Sequence, residues 1–239
     1  MTVDSPQKKP KRQIGSFLVR GYLTIAVPVL LMLFSARLVM TPVFLELEYS
    51  RSGFPDDQYG FTQVERLHYA THAIDYLFND SDISYLGDLT FPDGFRLYTD
   101  RELDHMEDVK LVTTRAFQLL EIGGGFTILL CLGIWRKGHN WRVFRQGLFL
   151  GGVSTLGMIG LVIVAAVIAW DFFFTTFHQA FFASGTWRFA YSDTLIRLFP
   201  QQFWFDAALT AGLLTAVGAF IILGLTWRFG GPQFQGQQS

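Results

Sequence analysis

The chain of 239 residues holds a single cysteine, Cys131, set inside an apolar run. An intrachain disulfide is therefore impossible, and a lone thiol in such surroundings packs as a small hydrophobe. Excess charge is missing as well. The 19 Lys and Arg balance 20 Asp and Glu to a formal net charge of −1, with no basic stripe interleaved with aromatics, which argues against a nucleic-acid partner. There is no G-x-S-x-G elbow, no P-loop and no dinucleotide fingerprint, so nothing points to a serine nucleophile or a bound nucleotide. His68 and His72 stand at the i, i+4 spacing that can ligate a metal, and His105 and His178 bring the total of candidate histidines to four. No cysteine assists them and no H-E-x-x-H is present, so neither a metal nor another cofactor is expected.

What the chain has in quantity is apolar and aromatic material. Half of it is hydrophobic, 25 residues are Phe, and the mean hydropathy is +0.29. The excess sits in four runs, about Phe17 to Met40, Phe117 to Trp135, Gly147 to Trp170 and Phe203 to Trp227. Each is close to the roughly 20 residues a helix needs to cross a hydrocarbon core. The first run outlasts a signal-peptide h-region and carries Phe34 where cleavage needs a small residue. It reads as an uncleaved spanning helix, kinked at Pro28. Rows of small residues (Gly147 and Gly151; Ala208, Gly212 and Ala216; Gly123-Gly124-Gly125) offer close helix contacts.

Basic residues cluster at Lys8, Lys9, Lys11 and Arg12, at Arg136, Lys137, Arg142 and Arg145, and at Arg228. Four crossings put all three clusters on one side, which the positive-inside rule assigns to the cytoplasm with both termini. The expected fold is an all-α membrane protein with four transmembrane helices in a plasma membrane, spanning 17–229. A small, mainly helical extracytoplasmic cap (44–115) separates the first two helices. An aromatic-rich outer loop (171–202) separates the last two. Residues 1–16 form a basic cytoplasmic N-terminus, and the Gln- and Gly-rich tail 230–239 reads as disordered.

The cap is acidic, with fifteen Asp or Glu against six Lys or Arg between Glu46 and Arg115. Turn residues crowd Gly53-Phe54-Pro55-Asp56-Asp57 and Phe91-Pro92-Asp93-Gly94. Between them, Val64, Leu67, Ile74, Leu77 and Phe78 recur at helical spacing. Thr62 and Glu65 in front of them have the form of a capping box.

The densest chemistry lies at Arg101-Glu102-Leu103-Asp104-His105-Met106-Glu107-Asp108-Val109-Lys110, seven ionisable side chains in ten residues. On a helix, Arg101, Glu102, His105 and Asp108 share a face, where a carboxylate one turn away can hold the imidazole's tautomer and raise its basicity. Each spanning helix also has an ionisable residue near its outer end: Arg37, Glu121, Asp171 and Asp206. Four at one depth, with Arg37 able to pair with an acid, suggest a polar pocket opening to the outer leaflet. The outer loop adds Phe177-His178, Trp187 and an i, i+4 pair, Asp193 and Arg197, on a short helix ending at Pro200.

At these residues the chain resembles the lipoprotein intramolecular transacylases (Lit). The likeness lies in the decapeptide 101–110 before a membrane helix, in Phe177-His178-Gln-Ala-Phe-Phe182 and in Trp187. It continues through Asp193-Thr-Leu-Ile-Arg-Leu-Phe-Pro200 with Phe203-Trp204, and includes Tyr76-Leu77 of the cap. The resemblance implies an acyltransferase of the bacterial cell membrane. Such an enzyme moves the sn-2 acyl chain of a diacylglyceryl-modified lipoprotein onto that lipoprotein's own N-terminal α-amine, giving the lyso-form. Its partners are then such lipoproteins and membrane lipid. The resemblance places the two functional histidines at His105 and His178.

The chemistry suits those residues, since aminolysis of an ester needs a base near neutral pKa and a proton for the leaving alkoxide. His105 is the expected base, supported by Glu102 and Asp108, with His178 stabilising the oxyanion or delivering the proton; the reverse assignment stays open. Arg37, Trp187 and Arg197 are the expected substrate-binding residues. No acyl-enzyme is needed, because donor and acceptor share one molecule. Two other readings stand beside this one: a non-catalytic membrane protein binding a lipid or protein partner through its outer face, and a metal-dependent hydrolase using His68 and His72.

Overall fold

A computed structural model describes residues 10–137, 141–183 and 185–228. Among the described residues the secondary structure is helical throughout, apart from one isolated bridge between Thr90 and Arg96. In chain order the helices are α1 (Pro10–Val39), α2 (Pro42–Ser50), α3 (Gln63–Phe78), α4 (Ser84–Gly87), α5 (Asp100–Lys137), α6 (Trp141–Ile168), α7 (Trp170–Phe181), α8 (Thr194–Leu198) and α9 (Gln201–Arg228). Four of them carry segments long and apolar enough to cross a membrane: Ile14–Val39, Asp100–Arg136, Trp141–Ile168 and Gln201–Trp227. The expected four-helix membrane fold is observed. The tail 230–239 and Lys8 and Lys9 lie outside the described residues.

Local signals set the boundaries. Pro42 occupies the first turn of α2, where its missing N–H costs nothing, and the Thr41 hydroxyl accepts the Phe44 N–H at 3.4 Å. The Thr62–Glu65 capping box forms as expected: Thr62 accepts the Glu65 N–H at 3.2 Å and Glu65 accepts the Thr62 N–H at 2.8 Å. Gly53 and Gly94, in the two predicted turns, sit at φ +87°, a conformation that L side chains rarely adopt. α1 continues as one helix through Pro28. α5 is one helix of 38 residues, joining the polar decapeptide to the second apolar run. At 1.5 Å per residue it reaches about 57 Å, nearly twice a hydrocarbon core, so one rod carries both the span and a polar start.

The chain divides into two compact units. Unit 1 comprises Met1–Met32, Glu121–Gly160 and Leu214–Ser239, and unit 2 comprises Leu33–Leu120 and Leu161–Leu213. Glycines make the closest helix contacts of unit 1. A Cβ on Gly147 would meet Leu23 at 2.9 Å, one on Gly151 would meet Val27 at 2.7 Å, and one on Gly152 would meet Leu223 at 2.9 Å. Gly123, nearest of its triplet to another helix, faces Leu30 at 3.1 Å. On α9 the buried row runs through Ala207, Thr215 and Ala219 instead of Ala208 and Ala216. Spacing alone gives two equivalent registers, and packing selects between them.

Unit 2 has a continuous core that includes Leu45, Tyr49, Ala70, Tyr76, Leu86, Tyr98, Leu103, Leu198 and Phe203. These residues come from both the expected cap and the expected outer loop, so the two are one packed body. Buried polar links reinforce it. Arg66 donates to the Arg197 carbonyl at 3.0 Å and to the Pro55 carbonyl at 2.7 Å, and the Tyr49 hydroxyl donates to the Leu198 carbonyl.

Candidate active site

Within unit 2, α5 presents His105 one turn after its start, and α7 presents His178 near its end. Both are nearly buried, 8% and 9% exposed. Their ring centroids lie 6.4 Å apart with planes 25° from parallel. Aromatic rings close the space around them. Phe182 lies 4.9 Å from His105 and 5.7 Å from His178, Phe189 lies 5.4 Å from His105, and Trp187 lies 4.8 Å from His178. An imidazole pair inside such a shell is screened from bulk water, which strengthens any electrostatic contact made there.

The two rings differ in their bonding. His178 Nδ1 lies 2.8 Å from the Phe174 carbonyl oxygen. A carbonyl only accepts, so Nδ1 carries the hydrogen and the lone pair of the neutral ring falls on Nε2. Burial pushes the His178 pKa below its ordinary value, and the Phe174 carbonyl offsets part of that shift. The ring is therefore neutral near pH 7, with one fixed tautomer. His105 Nδ1 is buried without a hydrogen-bond partner.

Glu102 shares the His105 face and is fully buried, yet it does not serve the ring. Its carboxylate accepts the Thr99 N–H at 2.8 Å, the Thr99 hydroxyl at 2.9 Å and the Leu195 N–H at 2.7 Å. It caps the start of α5 and ties α8 to it, so the expected carboxylate–imidazole contact is replaced by a structural one. The string Thr99-x-x-Glu102 has the same form as Thr62-x-x-Glu65 and was the sequence signal for this role. Asp108 is exposed and makes no bond to His105. Arg101 is the residue that sequence reasoning underused. It donates to the Arg188 carbonyl and lies 5.1 Å over the Phe189 ring, pinning the segment after α7 against the start of α5.

The expected substrate-binding residues separate. Trp187 is in the pocket, 7% exposed, with its indole Nε1 buried and unpartnered. Arg197 is a strut: its guanidinium bonds the Asp57 carboxylate at 3.0 Å and lies 3.7 Å over the Phe61 ring. Burial alone would raise the Asp57 carboxyl, but bonds from Arg197 and the Phe61 N–H outweigh it and hold the group below the usual carboxylate range. Asp193 bonds the Ala190 N–H at 2.8 Å, so the expected Asp193–Arg197 pair is not formed.

Arg37 lies 4.2 Å over the Phe78 ring and donates to the Met40 carbonyl at 3.3 Å. Among the described residues it makes no ion pair; a ring replaces the expected acid. Asp206 is paired with Arg51, and burial together with this neighbouring carboxyl raises the pKa of Glu48, which Arg51 also contacts at 2.9 Å. Neither Arg37 nor Asp206 bonds to either histidine.

The His68 and His72 rings lie 4.5 Å apart, tilted by 57°, with His72 Nδ1 3.1 Å from the His68 carbonyl oxygen. Among the described residues no group of three or more His, Cys, Asp or Glu side chains is placed to hold a metal ion.

Comparison with known proteins gives a consistent picture. The sequence profile described as "Lipoprotein intramolecular transacylase Lit" matches residues 22–204. An uncharacterized protein of Aquifex aeolicus (strain VF5) is 31% identical over 206 residues, 86% of this chain and 92% of that protein. The fold resembles that of the membrane integral lipoprotein intramolecular transacylase Lit from Bacillus cereus, with a TM-score of 0.73 and 18% identity over 91% of this chain and 96% of that one. A variant of the same Bacillus cereus protein, with a histidine replaced by alanine, matches at a TM-score of 0.68 and 17% identity over 91% of this chain and 94% of that one.

Proposed function

This chain belongs to the lipoprotein intramolecular transacylase family, and from that membership we propose that it moves an sn-2 acyl chain within a diacylglyceryl-cysteine lipoprotein. The acceptor is the lipoprotein's own N-terminal α-amine. One observation carries the reading: His105 and His178, distant in sequence, share one aromatic pocket with ring centroids 6.4 Å apart.

In this scheme the α-amine, with an unperturbed pKa of about 8, attacks the sn-2 ester carbonyl. His178 takes the amine proton on Nε2, the position left basic by the bond from Nδ1 to the Phe174 carbonyl. The tetrahedral intermediate collapses, the ester C–O bond breaks, and the His178 imidazolium returns the proton to the alkoxide. The products are an amide and a secondary alcohol, so atoms and charge balance without an external reactant. His105 holds the reacting ester through a ring nitrogen. This reverses the base assignment expected from sequence, because Glu102 is spent on Thr99 and Leu195. Donor and acceptor lie in one molecule, so confinement by the surrounding rings supplies much of the rate through proximity.

The basic clusters Arg136, Lys137, Arg142, Arg145 and Arg228 support an orientation with both termini in the cytoplasm and the histidine pocket on the outer face of the plasma membrane.

The test uses the purified full chain in liposomes with a synthetic diacylglyceryl-cysteine peptide. The product is an isomer of the substrate, so tandem mass spectrometry reads the N-acyl fragment. His105→Ala and His178→Ala should each abolish it while the protein still inserts. An unchanged acylation pattern with the natural sequence would leave the non-catalytic, partner-binding reading standing.

A further inference from the structure

Three side chains described in unit 2 keep a buried polar atom without a hydrogen-bond partner: Tyr98 Oη, His105 Nδ1 and Trp187 Nε1. Two of the three line one pocket, each within ring-contact distance of His178. Two other deeply buried polar side chains of the unit are satisfied, through the three bonds of Glu102 and the two of Arg66. The gap in hydrogen bonding is concentrated at the histidines, with Tyr98 Oη the one other case among the described side chains of the unit. Buried polar groups in native proteins are almost always paired, and an unpaired one calls for an explanation such as a ligand.

Trp187 narrows the choice of ligand atom. An indole N–H only donates, so its missing partner is an acceptor. The ring cannot easily swing away to find one. Arg188, the next residue, lies 5.1 Å over its face, and Arg101 fixes the Arg188 carbonyl from α5. Phe174 stands 6.2 Å from it on the other helix. A buried donor held among packed aromatic rings beside a general base has the form of an oxyanion-hole donor.

We propose that the Trp187 indole N–H binds the carbonyl oxygen of the reacting acyl ester and stabilises its oxyanion as the α-amine attacks. This rests on the acyl-transfer reading above and assigns Trp187 as a catalytic residue within it. The acceptor class is an ester carbonyl; a thioester or amide carbonyl would fit the same donor.

The decisive variant replaces Trp187 by β-(3-benzothienyl)alanine, which keeps the ring shape and puts sulfur where the N–H was. In the liposome assay its kcat should fall on the order of 100-fold, as for loss of one oxyanion donor, with KM changed by less than about 2-fold. Its pH profile should match that of the natural chain, because His178 is untouched. Trp187→Phe should lose at least as much. If Trp187→Phe is impaired and the sulfur isostere keeps its natural kcat, the indole only packs and the assignment falls. If the natural chain itself leaves the substrate unchanged, the acyl-transfer reading falls and takes this assignment with it.

Discussion

Unit 1 has its closest helix contacts where side chains are missing, and unit 2 has polar side chains bonded in its interior. In unit 1, Gly147, Gly151 and Gly152 let helix backbones approach so closely that a single added carbon would collide with Leu23, Val27 or Leu223. In unit 2, Glu102 and Arg66 are buried, Asp57 and Arg197 are half-buried, and all four are bonded across segments far apart in sequence. The contrast follows from the solvent. In a bilayer, apolar surface gains nothing by meeting apolar surface, so helices associate through close contact and interhelical hydrogen bonds. Where water competes, burying a bonded carboxylate fixes which segments meet, because leaving it unpaired is costly. A pocket that must hold two histidines at a set separation is found in the second kind of structure.

That contrast can be broken at single residues. The largest expected effect is Glu102→Ala, which orphans the Leu195 N–H, the Thr99 N–H and the Thr99 hydroxyl. The buried Leu195 N–H costs about 1–3 kcal/mol when orphaned and loss of the cap at exposed Thr99 adds about 1 kcal/mol, so the loss should be about 2–4 kcal/mol and show as a lowered midpoint in detergent-based unfolding. Asp108→Ala, on the same face but exposed, should leave the midpoint unchanged. Equal midpoints for the two would mean that Glu102 does not organise unit 2.

Gly151→Ala comes next. Its Cβ would lie 2.7 Å from Val27 and 2.8 Å from the Leu23 carbonyl oxygen, so overpacking should cost about 1–3 kcal/mol. Gly157→Ala, with open space around it, should instead be neutral or gain up to about 1 kcal/mol from helix propensity. Thr62→Ala removes the cap of α3 and should cost about 1 kcal/mol, with Thr62→Ser retaining most of it.

The smallest expected effect is that of pH on unit 2. His178 and Asp57 both have folded pKa values below their unfolded ones. As pH falls through about 6.5, the unfolded chain gains a proton that buried His178 resists, and stability declines. A second decline follows below about 4, as pH drops toward the depressed Asp57 value and its pair with Arg197 is lost. Titration of the unfolding midpoint should show both steps, and His178→Phe should shrink the first while keeping the second.

Some of the site was legible before any coordinates. The four apolar runs, the capping box at Thr62–Glu65 and the turns at Gly53 and Gly94 are local properties of composition and backbone sterics, and each was found where expected. His105 stood out within the ionisable decapeptide 101–110, and His178 because an ionisable ring among Phe residues needs an explanation. The pairings were not legible. Glu102 was assigned to His105 from helix periodicity, yet Thr99 and the Leu195 N–H, 93 positions away, claim its oxygens. Arg197 was assigned to Asp193 by the same i, i+4 logic, yet Asp57 holds it across 140 positions. Helical spacing states which groups can meet; it is silent on which stronger partner arrives from elsewhere.

The sequence by itself determined the four runs apolar enough to span a membrane and the capped start of α3, and marked His105 and His178 as candidates, since hydropathy, caps and composition act over a few residues. Only the tertiary structure decided that those histidines share a pocket, that Nε2 of His178 is the free nitrogen and that Trp187 is left without an acceptor. Those facts depend on buried hydrogen bonds between distant segments, and a buried donor or acceptor takes its partner from whatever the packed fold brings within reach.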